Sequence, residues 1–163
     1  CARELRELGV AAGAQVQQVE AEAASLAWQR VSDIHGWLAA SYPSLVVLRA
    51  LLPDAASEEF LSRAHQEAEN DKAPLASFSQ LGTGIVQLAL LEGGQAVPGL
   101  IGRLRVAAEQ MGGALIVEHC PSGLKGDVEV WGAVGDDFAV MAKVKAAWDP
   151  RGILSPGRFV GSL

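Results

Sequence analysis

One guanidinium sits inside the most apolar run of the sequence, Leu45-Val46-Val47-Leu48-Arg49-Ala50-Leu51-Leu52. Arginine stays charged at any physiological pH, so in a core-like strand Arg49 must either reach solvent at a cavity or meet an anion. Two partners suit it. One is Glu118, on another predicted strand, in an internal salt bridge. The other is the carboxylate of a small acid, which a planar guanidinium fork can hold in a bidentate pair. His119 ends that second strand, where an imidazole can make a structural hydrogen bond or face the same small substrate. His35 and His65 fall on predicted helices, as surface residues, and the three histidines share no metal-ligand spacing, so no metal site is expected. Gly-x-Gly-x-x-Gly, the Walker loop, His-Glu-x-x-His and Gly-x-Ser-x-Gly are all absent from the sequence.

These residues are carried by 163 amino acids, of which 50% are apolar and 20% charged, enough for one folded domain with a real core and too apolar for disorder. A net charge of −6 gives a field that repels nucleic acid and anionic membrane surfaces. No apolar run approaches the roughly 18 to 20 residues of a membrane span. The two cysteines, Cys1 and Cys120, make neither a disulfide scaffold nor a zinc pair, which points to a cytoplasmic protein with inert thiols. The chain opens on Cys1 with a helix already under way, as expected of a piece of a longer polypeptide.

Periodicity places a short helix over Ala2 to Val10 and a weak strand over Gln15 to Val19. An amphipathic helix from Glu20 to about Ala40 follows, with Ala24, Ala27, Trp28, Val31, Ile34 and Leu38 on its inner side. After the strand that holds Arg49, a helix runs to about Glu69, capped by Asp54 or Ser57. Residues 71–83 lack periodicity and read as a long loop. The remaining elements are a strand over Ile85 to Leu91, a helix over Pro98 to Met111, a strand over Ala114 to His119 and a helix from Asp136 to Trp148 whose buried side is Phe138, Met141, Val144 and Trp148. The pattern gives an α+β fold of ferredoxin-like kind, with a largely antiparallel sheet of about four strands and helices on one face.

The segment Trp148-Asp149-Pro150-Arg151-Gly152-Ile153-Leu154-Ser155-Pro156-Gly157-Arg158-Phe159 is the most specific feature of the chain. Two proline turns frame a short apolar step. From Met141 to Leu163 four cations face one anion, a local excess of +3 within an acidic chain. With Lys145 ahead of it, this segment resembles the closing signature of FAD-linked oxidases of the vanillyl-alcohol oxidase type: a Lys, an aromatic-Asp-Pro, then Gly-Ile-Leu-Asn-Pro-Gly and a basic residue. Leu124-Lys125, Val130-Trp131-Gly132 and the helix from Asp136 are similar to the same region in the FAD-binding E subunit of glycolate oxidase. The His-rich metal motif of the related D-lactate dehydrogenases has no counterpart here.

The resemblance implies that residues 1–148 are a cap or substrate domain and that 149–163 form a tail returning to a separate N-terminal FAD domain. It implies FAD held mainly by that other domain, with Ser155, Pro156, Gly157 and Arg158 at the turn that approaches the cofactor; Ser155 stands where the family usually has Asn. The implied reaction is oxidation of a small 2-hydroxy acid, glycolate-like or lactate-like, by hydride transfer to flavin N5, with a possible electron-accepting subunit as partner. Arg49 and His119 are then the candidate substrate-facing residues, and the catalytic residue itself is not identified. The isolated chain is expected to be inactive. The rival expectation is a stand-alone ferredoxin-like module for ligand binding or oligomerisation, without catalysis.

Overall fold

The computed structural model describes residues 2–13, 15–80 and 82–163. Cys1, one of the two cysteines, and Leu81, within the expected long loop, lie outside the described residues. Two compact units, 1–37 and 38–163, make up the chain.

In the first unit, helix α1 (Ala2–Ala11) and helix α2 (Ala21–Ser32) are joined through residues 15–20, which are extended and exposed but pair with no strand. The weak strand expected over Gln15 to Val19 is therefore absent: three of its five residues are glutamine, and no ladder among the described residues takes up its backbone groups. The single helix expected from Glu20 to Ala40 is broken at Asp33, where the backbone leaves helical geometry before helix α3 (Ile34–Ser41) begins. No residue of α2 is buried, and Trp28 is largely exposed, against the expected inner face. Only Leu38 of that face is buried.

The second unit is built on strands β1 (Val46–Leu51), β2 (Leu75–Gln80), β3 (Ile85–Leu90) and β4 (Ala114–His119), in the spatial order β2-β3-β1-β4 with every neighbouring pair antiparallel. Hence β1 and β2 run parallel with β3 between them, and β3 and β4 run parallel with β1 between them. Helix α4 (Ser57–Asn70) crosses from β1 to β2, and helix α5 (Val97–Gln110) from β3 to β4. Two interleaved split β-α-β units are the ferredoxin-like arrangement. The class expected from sequence holds, but its fourth strand is β2, not residues 15–19. Strand β2 lies within the segment expected to be a loop. Its core-facing positions are Leu75, Ser77 and Ser79, so apolar alternation is nearly invisible, and the ladder with β3 supplies what propensity lacks.

One face of the sheet carries the core. Val46, Leu48 and Ala50 of β1, Val86, Leu88 and Leu90 of β3, and Leu115 and Val117 of β4 pack with Phe60, Ala64 and Ala68 of α4 and with Leu100, Ile101, Leu104, Ala107 and Ala108 of α5. The turn before β3 needs a glycine: Gly84 has φ +67° and accepts from Leu52 N through its carbonyl at 2.8 Å, and a Cβ there would collide with the Leu52 carbonyl. The expected caps of α4 are not formed by side chains. Asp54 instead accepts from Gly82 N at 3.0 Å, and the Ser57 hydroxyl is buried without a partner among the described residues.

Helix α6 (Phe138–Trp148) starts two residues later than expected and buries nothing. Its predicted inner side is open: Phe138 and Met141 are half-buried, Val144 is exposed, and Trp148 is 83% exposed. No helix among the described residues is long and apolar enough to cross a membrane.

Candidate functional site

Because successive strand residues point to opposite faces, the residues between the core positions form a second face of the sheet, on which Val47 and Ala89 are buried while Arg49 and Leu51 reach solvent. Arg49 stands at its centre. Arg49 pairs with Gln87 of β3 on one side and with Ile116 of β4 on the other. An irregularity in the β1–β4 ladder between Val47 and Leu48 shifts the register, so that Val47 faces His119 while Leu48 faces Val117, and Glu118 is left over in the bulge. From there the Glu118 carboxylate forms an ion pair with Arg49. Its second oxygen accepts from Gln87 Nε2 at 3.4 Å. The first of the two partners expected for Arg49 is thus present. Both side chains keep contact with water, 39% exposed for Arg49 and 19% for Glu118, so the pair contributes about 1 kcal/mol or less. Glu118 also leaves part of the guanidinium unused: Arg49 Nε is buried and has no hydrogen-bond partner among the described residues.

A cavity of about 740 Å³ opens beside the end of β4. Glu118, His119, Lys125, Trp131, Gly157 and Arg158 are among its lining residues, with the buried thiol of Cys120. The segment opposite β4 is fixed in place by its backbone. Val117 N donates to Val130 O at 2.8 Å, while Arg105 of α5 donates from Nε to Leu115 O at 3.2 Å and from Nη2 to Glu129 O at 2.5 Å. Trp131 then holds the tail: its indole N–H donates to the Arg158 carbonyl at 3.3 Å, and its ring meets Phe159 edge-on with centroids 5.2 Å apart.

The tail motif has a local structural logic centred on Asp149. Its buried carboxylate accepts from Lys145 Nζ at 2.7 Å, from Ile153 N at 3.0 Å and from Leu154 N at 2.9 Å. Lys145 Nζ donates onward to Leu154 O at 2.5 Å. One carboxylate thereby ties the last turn of α6 to the chain four and five residues beyond. The Lys145 bond, followed by the Leu154 and Ile153 amides, lowers the Asp149 pKa to about 2. Past this clasp the backbone enters the left-handed region at Ser155 (φ +45°) and again at Gly157 (φ +71°). Glycine accepts that conformation freely, whereas serine does so at a cost and asparagine is the more tolerant ordinary residue.

Against the sequence-based candidates, His119, Gly157 and Arg158 line one cavity, and Glu118, on the same wall, links that cavity to Arg49. Ser155 and Pro156 are exposed in the tail turn and do not line it. His119 is exposed and has no hydrogen-bond partner among the described residues, so the structural bond considered for it is not made. His65, on α4, shares a hydrogen bond with Ser77 of β2 at 2.9 Å. Among the described residues no three His, Cys, Asp or Glu side chains gather as a metal site. Sequence reasoning missed Gln87 and the Lys145–Asp149 clasp. Each had a signal: Gln87 is the one polar residue in an apolar strand, and Lys145 and Asp149 are spaced i, i+4 at a helix end.

Compared with known proteins, residues 1–159 match the family model described as FAD linked oxidases, C-terminal domain. No curated protein matches the sequence significantly.

Proposed function

The chain belongs to the FAD-linked oxidases through their C-terminal domain, and from that premise we propose that it covers the substrate side of a flavin and binds a small 2-hydroxy acid by its carboxylate. Membership implies an oxidoreductase whose FAD domain lies in the same polypeptide. Within the family our reading is a vanillyl-alcohol oxidase-type enzyme similar to the E subunit of glycolate oxidase, cytoplasmic, and passing electrons to a partner subunit.

The observation that carries this reading is Arg49: a cation on this face of the sheet that Glu118 engages through one oxygen only, with a buried Nε–H that no group among the described residues uses. The residues around it fit a flat ring system. Ala89 and Ile116 are small or apolar neighbours on the same face, and Gln87 offers an amide. Bound FAD would supply the two-electron acceptor. The chain's own residues bind and orient: Arg49 fixes the substrate carboxylate, which sets the position of the adjacent hydroxyl-bearing carbon, and the apolar face excludes water. His119 and Arg158, on the cavity beside β4, contribute positive charge or hydrogen-bond donors near the substrate's polar end. Ser155, Pro156, Gly157 and Arg158 form the turn through which the tail approaches the FAD domain, and the apolar, unburied surface of α6 with Trp148, Ile153 and Leu154 packs on that domain.

Anaerobic addition of glycolate or D-lactate to the flavin-loaded full polypeptide should bleach its visible absorption, and ethylene glycol, which keeps the hydroxyls but lacks the carboxylate, should not. Equal bleaching by both would overturn the carboxylate reading.

A further inference from the structure

The ion pair on the open face has an unusual division of labour. Glu118 approaches Arg49 with one oxygen and spends the other on Gln87, so half a carboxylate occupies a guanidinium that can hold a whole one. Arg49 Nε, on the same guanidinium as the occupied terminal nitrogen, is shielded from water and unpaired. A buried donor left unsatisfied is costly, and a bidentate carboxylate would satisfy it. Glu118 sits in a bulge at the strand's end, where the ladder holds it less firmly than a paired position, and it lines the cavity whose wall also carries Lys125 and Arg158.

From these four observations we infer that Glu118 is an internal competitor for the substrate carboxylate: it holds Arg49 in the ligand-free protein and is displaced when an acid binds. The displaced carboxylate turns toward the cavity that it already borders, where Lys125 and Arg158 are available to it, while Arg49 exchanges a one-oxygen partner for a two-oxygen one. Glu118 is thus a specificity-determining residue. Weak or singly coordinating anions do not repay its displacement, and a carboxylate of the right reach does. This rests on the reading of Arg49 as the carboxylate site.

The test is isothermal titration calorimetry of oxalate, a dianion with no C–H bond to give up as hydride, into the flavin-loaded full polypeptide and three variants. Glu118→Gln, which removes the competitor, should bind oxalate roughly two- to five-fold more tightly than the parent. Glu118→Asp keeps the charge but shortens its reach and should move in the same direction by less. Arg49→Gln should bind at least about 30-fold more weakly. Unchanged affinity in Arg49→Gln overturns the carboxylate site and the competitor with it. Weakened affinity in Arg49→Gln together with equal or weaker binding in Glu118→Gln overturns the competitor alone and leaves the site standing. Tighter binding in Glu118→Gln with none in Glu118→Asp reduces the effect to net charge and also overturns it. Should Glu118→Gln fail to load flavin, the Glu118→Asp comparison decides.

Discussion

Helices α5 and α6 are both rich in Ala and Val, yet α5 buries six residues against the sheet and α6 buries none. What separates them is not apolar content but what lies opposite. Helix α5 returns the chain from β3 to β4 and must lie across the sheet, so its apolar stripe meets Leu88, Leu90 and Leu115. Helix α6 follows β4 instead and is fastened at its end by the Lys145–Asp149 clasp. The apolar surface it shows, Val140, Val144 and Trp148 above a groove of about 550 Å³ closed by Leu154 and Phe159, is left exposed. A core helix secures the fold; α6 keeps its apolar side exposed.

The contrast is sharpest in stability. Phe60→Ala, at the centre of the core cluster, should cost about 3–5 kcal/mol in urea unfolding followed by far-UV circular dichroism. A loss below 1 kcal/mol would mean that the sheet does not pack on α4 as described.

The clasp comes next. Asp149→Asn should free the Ile153 and Leu154 amides, raising their hydrogen exchange on the order of tenfold or more while exchange in β1 and β3 stays unchanged. Acid should do the same to the parent chain. Asp149 has a folded pKa of about 2 against an ordinary 3.8, so its contribution is complete above about pH 4 and fades as pH falls through about 2. Protection at Ile153 and Leu154 should therefore decline across that window ahead of the sheet, and a simultaneous loss of both would show that the tail is part of the core.

Smaller effects refine the picture. Ser155→Gly, at φ +45°, should raise stability by about 0.5–1 kcal/mol by relieving the left-handed backbone. Val144→Ser should change the stability of this chain by about 0.5 kcal/mol or less; a larger loss would show that α6 has a partner within the chain.

The legible part of the fold was the part with strong periodicity. Strand β1, strand β3, strand β4 and helices α4 and α5 could be placed because each buries an apolar row of its own. Strand β2 could not, since Ser77 and Ser79 occupy its core-facing positions and its existence depends on pairing with β3. Gln15 to Val19 failed in the opposite sense: alternation without a neighbouring strand gives no ladder. At the site, Arg49 and Glu118 were readable as charges within apolar strands. The bulge that turns Glu118 toward Arg49 was not, because a register shift depends on the whole ladder. Asp149 was visible only as part of a motif; its role as a clasp emerged once α6 and the tail were seen folded back on each other.

On the reading proposed above, Arg49 holds the substrate carboxylate on the sheet face opposite the core. The most direct test of that reading is anaerobic flavin bleaching by glycolate and D-lactate in the full polypeptide, titrated for the parent and for Arg49→Gln. Bleaching is expected in the parent, with a half-saturating concentration raised at least about 30-fold in the variant. Identical titrations in a flavin-loaded, folded Arg49→Gln protein would contradict it.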